Sequence, residues 1–346
     1  MATLKTRSTL ILALALVFVL GMLSATLLGI RRQDQPVWAP PPALAQQQQE
    51  PVWAWPVEKL KAHVEKVRAG KDMTPVKWPD GARVAVSLSF DFDTEPVWIG
   101  GLGLSSPGYM SRGQYGARVG LERILALLDK QKIPATFFWQ GSTFYLHEDA
   151  VAKVMSRPQH EIGFHSWVHE NPSTLTEDQE REVYRKALEA FEKFTHRRPV
   201  GIRTASWDYS DSTLKLIKEF GFLYDSSLMA DDRPYMLRAS GQETGVLELP
   251  VEWIQDDWPL FQVNWAGHHV AVRNGEDVFK IWADEFDGAY REGTMFILTM
   301  HPQVIGHRYR MTLLERLIEH IKSKPGVWFA THEQIARYAL AQGGRS

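Results

Sequence analysis

The chain of 346 residues contains no cysteine. That absence excludes disulfides, thiolate zinc sites, iron–sulfur clusters and a cysteine nucleophile together. An excess of one charge is missing too. Lys and Arg number 39 against 41 Asp and Glu, a net charge of −2, which offers no electrostatic basis for nucleic-acid binding. No glycine-rich nucleotide turn follows the first strand-like run, Arg83 to Phe90, so a dinucleotide fold lacks its signature. What is left is an ordinary globular composition, 44% hydrophobic and 23% charged. Its chemistry must come from oxygen and imidazole groups, and 12 His supply the latter.

One long apolar run is present. Thr9 to Ile30 carries no charge, and Lys5 and Arg7 precede it. Its length suffices for a bilayer-spanning helix, and its lack of a polar face argues against a buried core helix. A small-x-small sequence, Ala43-Leu44-Ala45, supplies a signal-cleavage site, although the apolar core is long for a signal. Residues 1–32 are therefore expected to be a signal peptide or membrane anchor that exports the protein to a periplasmic or other extracytoplasmic location. Arg31-Arg32 follows the apolar core rather than preceding it, which does not support twin-arginine export. Cleavage after Ala45 would leave 35 basic and 40 acidic residues, a net charge of −5. Residues 33–80 read as a Pro/Gln-rich linker and lead-in helix, Val57 to Arg68.

Length alone suggests about two domains, or one large α/β domain. From Arg83 onward, strand-like and helix-like segments alternate. Strands are expected at Pro134–Phe138, Glu161–Phe164, Pro199–Arg203, Phe222–Tyr224, Val246–Pro250, Met295–Thr299 and Val327–Ala330. Helices are expected at Val119–Lys130, His147–Met155, Thr176–Phe194, Asp211–Phe220, Glu276–Tyr290, Met311–Ile321 and His332–Leu340. A capping box is expected at Thr174–Glu177. The alternation indicates βαβ units, and about seven steps suit a barrel. Reactive residues should then lie at the carboxyl ends of strands.

The first strand ends in Ser89-Phe-Asp-Phe-Asp93, where Asp91 and Asp93 project to one side of an extended chain. After the third strand comes His165-Ser-Trp-Val-His169. On a helix, His at i and i+4 share a face and can reach one metal. A zincin would need Glu where Ser166 stands. Two His and one carboxylate leave an open position, as in catalytic zinc or non-haem iron sites. Arg203 follows another strand and can hold a carboxylate, and His301 follows the strand Ile297–Met300.

This ordered series resembles the polysaccharide deacetylases of carbohydrate esterase family 4, the NodB-homology domain, over about residues 81–341. The resemblance implies a distorted (β/α)7-type barrel and a hydrolase of carbon–nitrogen bonds other than peptide bonds. It implies Asp91 as general base, Asp93, His165 and His169 as metal ligands, Arg203 as the residue orienting Asp91, and His301 as general acid. The cofactor implied is a divalent metal, with zinc first among the transition metals. Two departures are visible: Asp91-Phe-Asp93 replaces an adjacent Asp pair, and Ala205 stands where the Arg motif usually has Pro. Asp-Phe-Asp, Tyr224-Asp-Ser-Ser-Leu228 and Met300-His-Pro302 are similar to a subgroup of peptidoglycan-deacetylase-like and allantoinase- or cyclic-imide-hydrolase-like proteins. An N-acetylated cell-envelope polysaccharide is the leading substrate. A small cyclic amide or imide, or a non-catalytic glycan-binding barrel, is the alternative.

Among the tryptophans beside these motifs, Trp98, Trp139, Trp253, Trp258 and Trp265 read as packing. Trp167 and Trp207 read as substrate-contacting faces. Asp231, in Asp231-Asp232-Arg233, is a further substrate-binding candidate, and His307 a candidate for the mouth of the site. His268-His269 is too weak a pair to read as a metal site. The glycine-rich loop Glu95–Gln114 and the loop Met229–Glu243 are where an open groove or a lid would show.

Overall fold

The computed structural model describes residues 50–262 and 272–344. The apolar run Thr9–Ile30, Trp265 and the His268-His269 pair lie outside these. Among the described residues, no helix is long and apolar enough to cross a membrane.

Ten strands build one sheet: β1 (Arg68–Asp72), β2 (Val84–Phe92), β3 (Thr136–Trp139), β4 (Glu161–Phe164), β5 (Gly201–Ile202), β6 (Tyr224–Asp225), β7 (Tyr235–Ala239), β8 (Gln242–Glu248), β9 (Met295–Met300) and β10 (Val327–Phe329). Seven run parallel in the order β9-β2-β3-β4-β5-β6-β8, and β7 and β1 extend the β8 edge antiparallel. β10 and β3 share the other edge of β2: the first pairs with Val84–Val86, the second with Ser89–Phe92. Beyond β8 the chain returns to β9 through a single parallel bridge, Asp256 to Thr299. The result is a parallel-rich α/β fold.

β2 explains how such a fold carries a polar centre. All nine of its residues are buried. Because side chains alternate, Val84, Val86, Leu88, Phe90 and Phe92 face the main hydrophobic core. The intervening residues are Ala85, Ser87, Ser89 and Asp91, which point to the opposite face. A strand read as V-A-V-S-L-S-F-D-F is thus apolar toward the helices and small or polar toward the interior. A one-residue slip would exchange the two faces, so burial fixes the register.

The helices follow the expected positions with shifts of one or two residues at most ends, and the helix expected at Val57–Arg68 stops at Val64. The capping box is a correction: Thr176 and Gln179 form it, not Thr174 and Glu177. Thr174 is already used, its hydroxyl donating to Asn171 O in a preceding turn. A second correction concerns Met229–Glu243, which is no open loop but contributes the hairpin β7–β8. β1, from the stretch read as lead-in, pairs with β7. Trp78, 1% exposed, likewise packs under the sheet and donates to Thr294 O.

The helix Leu121–Gln131 meets the chain after β9 without side-chain space between them. A methyl group on Gly120 would sit 2.0 Å from Pro302 O. Gly120→Ala is therefore expected to cost about 1–3 kcal/mol of stability, read as a lower midpoint in chemical denaturation. It should also reduce any activity that depends on the neighbouring His301.

Candidate active site

The side chains singled out by the strand-end argument converge. Asp91 ends β2 with Asp93 just beyond, His165 follows β4, Arg203 follows β5 and His301 follows β9. All are buried: Asp91 is 1% exposed, Asp93 0%, His165 1%, His169 9%, Arg203 0% and His301 6%. His165 Nε2 lies 3.3 Å from Asp93 Oδ1, and His169 Nε2 lies 3.7 Å from Asp93 Oδ2. His301 Nε2 approaches from the other side, 3.5 Å from Asp93 Oδ2 and 3.9 Å from Asp91 Oδ2.

The two histidines do not share a helix, contrary to the spacing argument. Residues 165–170 are a loop, with Ser166 at φ 62° and His169 at φ 63°, both in the left-handed region. Such backbone costs roughly 1–3 kcal/mol per residue and persists only where surroundings enforce it. Glu170 does so here, its carboxylate accepting from the amides of Trp167 and Val168. The loop Glu95–Gln114 presses on the same turn, and a methyl on Gly101 would fall 2.7 Å from His169 Nδ1. Trp98, fully buried, and Gly113 anchor this stretch, which contains the helix Pro107–Tyr115, while most residues from 99 to 108 are exposed.

Asp91 is gripped from below. Arg203 Nη1 donates to Asp91 Oδ1 at 2.8 Å and to Ser89 Oγ at 2.9 Å, while its other nitrogens reach Ser226 O and Oγ. Arg203 Nη2 lies 3.3 Å from His332 Nε2, and His332 Nδ1 lies 2.8 Å from Ser87 Oγ. A guanidinium can only donate, so Nε2 is the acceptor and Nδ1 carries the proton. Burial and the adjacent Arg203 push the His332 pKa well below its usual value, which agrees with a neutral ring.

His301 is held by a pair that the sequence reading missed. Its Nδ1 donates to Asp257 Oδ1 at 2.7 Å, its backbone N–H donates to Asp257 Oδ2 at 3.0 Å, and Asp256 Oδ1 is 3.6 Å from Nδ1. The signal available for this pair was two adjacent acids, Asp256-Asp257, several residues beyond the strand expected at Val246–Pro250. Burial disfavours the imidazolium of His301, but Asp256, Asp257 and Asp93 outweigh it and raise its pKa to about 10. Burial also lifts Asp256 to about 8, with His301 opposing and Asp257 adding to the rise. Burial raises the Asp257 pKa as well, with His301 opposing, so the adjacent carboxyls titrate as a pair.

Three donors fit a metal. Asp93 Oδ2 and His165 Nε2 are buried without a hydrogen-bond partner, an arrangement native proteins avoid unless a ligand completes it. His165 Nδ1 donates to Arg203 O at 2.8 Å, which leaves the Nε2 lone pair facing the centre. Gln140 Nε2 orients Asp93 from behind through Oδ1. One ligand atom from each of Asp93, His165 and His169 can be chosen so that all lie within 4.8 Å of one another. Burial would raise the Asp93 pKa, yet His169, His165 and His301 together bring it down to about 2. Burial lowers the pKa of His169, whereas at His165 Asp91 and Asp93 overcome burial and raise it. A cation here would replace that proton as the counter-charge.

A family model for polysaccharide deacetylase matches residues 114–224. A peptidoglycan deacetylase of Helicobacter pylori is 31% identical over 288 residues, covering 76% of this chain and 98% of that protein. This chain belongs to the polysaccharide deacetylase family. A family structure from Mycobacterium smegmatis is 33% identical, with a TM-score of 0.73, covering 80% of this chain and 97% of its own. The crystal structure of Puue allantoinase is 28% identical with a TM-score of 0.66, covering 78% and 94%. Polysaccharide deacetylases are hydrolases of carbon–nitrogen bonds other than peptide bonds, and this chain is an amidohydrolase of that kind.

The remaining candidates sit elsewhere on the deacetylase fold. Trp167 is partly buried against the main core, with Lys186 near its ring and Tyr145 edge-on to it. Trp207, at φ 53° in the turn after Arg203, stacks on Trp253 with centroids 4.2 Å apart. Trp253, read as packing, is 43% exposed. Asp231 is ion-paired with Arg233 at 2.9 Å and lines a 250 Å³ cavity together with Glu252, Gln255 and the first residues of β9. It is not brought to the centre. His307 stacks on Tyr115.

Proposed function

We propose that the protein is a metal-dependent deacetylase of an N-acetylated cell-envelope glycan. The observation that carries this reading is the convergence of the orphaned Asp93 Oδ2 and His165 Nε2 with His169, between a fixed carboxylate and a fixed imidazole. Asp93, His165 and His169 would hold a divalent cation, zinc by the nitrogen–oxygen donor set. When bound, that cation supplies Lewis-acid polarisation of an amide carbonyl and acidifies water, worth several kcal/mol.

The chain's own residues supply the proton transfers. Asp91 Oδ2, the oxygen Arg203 leaves free, accepts a proton from the attacking water. His301 Nε2 faces the same space and gives its proton to the leaving amine nitrogen, so acetate and free amine result. General acid assistance of this kind contributes about 10²- to 10⁴-fold. Trp253, exposed and stacked on the buried Trp207 at the same end of the sheet, offers an aromatic face for a sugar ring.

Asp257 acts through His301. Replacing it by Asn removes one of the carboxylates that, with Asp256 and Asp93, favour the imidazolium, so the His301 pKa falls from its raised position. An acid must be protonated to act, so the alkaline limb of the kcat profile should move to lower pH, by about one unit or more, while KM changes little. An unmoved limb would show that Asp257 only supports the loop.

A second reading is hydrolysis of a small cyclic amide or imide by the same residues. Near-complete burial of all six side chains and the likeness to the allantoinase structure favour it. Metal analysis of the purified protein, paired with acetate release from N-acetylated glycans and with imide hydrolysis, tests both. Acetate released only in the metal-loaded state supports the first reading; turnover of imides alone overturns it. The expected export through residues 9–30 forms part of the proposal, and cell fractionation with N-terminal mass analysis tests it.

A further inference from the structure

Apart from the catalytic centre, a cavity of about 570 Å³ lies between the helix Pro107–Tyr115 and the chain that follows β9. Arg112, His307, Arg308 and Arg310 line it, and among the described residues no acidic side chain does. Arg310 is buried, and its guanidinium is held by Val304 O, Phe261 O and the Tyr309 hydroxyl rather than by a carboxylate. Arg123, close by, likewise donates to Gly306 O and the Tyr115 hydroxyl. Arg308 is exposed. Burial, with Arg310, Arg123 and Arg112 nearby, lowers the His307 pKa, so the positive charge is that of the arginines. In a chain of net charge −2, such a cluster attracts an anion.

Two buried amides make the wall specific. Gln303 is 6% exposed, and neither its Oε1 nor its Nε2 has a hydrogen-bond partner. Gln262 is 7% exposed, and its Nε2 lacks a partner as well. Leaving such groups unpaired is costly, and a ligand relieves the cost. Because Gln303 offers an acceptor as well as donors, the ligand needs an N–H or O–H beside its negative charge. A carboxylate attached to a sugar or peptide has both, whereas inorganic phosphate is chiefly an acceptor.

The cavity is also coupled to the centre. Arg112 lies 4.8 Å over the Trp98 ring, Trp98 packs 5.6 Å from Trp258, and Trp258 meets the His301 ring at 5.1 Å. Gln303 is two residues beyond His301. One aromatic wall thus separates the cationic cavity from the amine-side acid.

We propose that this cavity is a subsite for a carboxylate borne on the glycan strand, as on a sugar acid or an attached peptide. The carboxylate chemistry stands on the cavity alone, while its assignment to a glycan rests on the deacetylase reading. The test titrates the full protein, Arg308→Ala and Gln303→Leu with a disaccharide–peptide fragment of peptidoglycan, with uncharged chitotetraose and with succinate. Binding is read by calorimetry, independently of turnover. The charged fragment should bind about tenfold or more tighter than chitotetraose, as one charge-assisted hydrogen bond allows. Both variants should lose that preference while keeping chitotetraose binding. Equal affinities in the wild type, or a preference surviving in both variants, would overturn the subsite. Succinate competing as well as the fragment would overturn its assignment to the glycan. Failure of the deacetylase reading shows separately, as chitotetraose that is bound and never deacetylated.

Discussion

His165→Ala is expected to lose both bound metal and turnover, whereas Asp91→Asn and His301→Ala should lose turnover with metal retained. His165 presents an unpartnered Nε2 to Asp93 at 3.3 Å. Its removal leaves two donors, too few for a divalent ion that ordinarily takes three protein ligands in a catalytic site. Loss of Lewis-acid and oxyanion stabilisation should lower turnover on the order of 10³-fold or more. Asp91 and His301 stand 3.9 Å apart at Oδ2 and Nε2 on the flanks of the centre, so their replacement leaves Asp93, His165 and His169 in place. Metal content by emission spectroscopy and acetate release separate the three variants. Unchanged metal in His165→Ala would sink the ligand assignment.

Arg203→Met should unfold the protein more easily and abolish turnover while sparing the metal donors. The guanidinium is fully buried, and Asp91 is its ion-pair partner at 2.8 Å. Removing the cation leaves a buried carboxylate uncompensated, a loss of about 3–5 kcal/mol. The side chain also lies 4.2 Å over the Phe138 ring and bonds Ser89, Ser226 and His332. His165, by contrast, is oriented by the backbone carbonyl of residue 203, which Met keeps. Chemical denaturation and metal analysis on the same preparation check this. A stable variant that binds no metal would show that Arg203 serves the ligands rather than Asp91.

The element series was legible because period-two and period-3.6 patterns are local. β2 needed only its own alternation to place Asp91 on the inner face. The hairpin β7–β8 and the edge strand β1 were not legible: Arg68-Ala-Gly-Lys-Asp72 has no apolar alternation, and its pairing comes from a distant hairpin. The Thr174 and Thr176 frames both satisfy the capping pattern, and only the turn begun at Asn171 decides between them. Trp167 and Asp231 looked functional from neighbouring motifs, but the first packs against the main core and the second is held by Arg233.

By itself, the sequence determined the inventory of chemistry and the strand ends that carry it, because residue type and periodicity are properties of short stretches. The tertiary structure alone decided the partnerships, Asp257 with His301 across 44 residues and His332 with Arg203 across 129, and set Gln303 in one cavity with a cluster of arginines. It also decided how His165 and His169 meet, through left-handed loop backbone instead of a helix face. Side-chain direction in such loops depends on φ and ψ imposed by packing from distant segments, which no local pattern encodes.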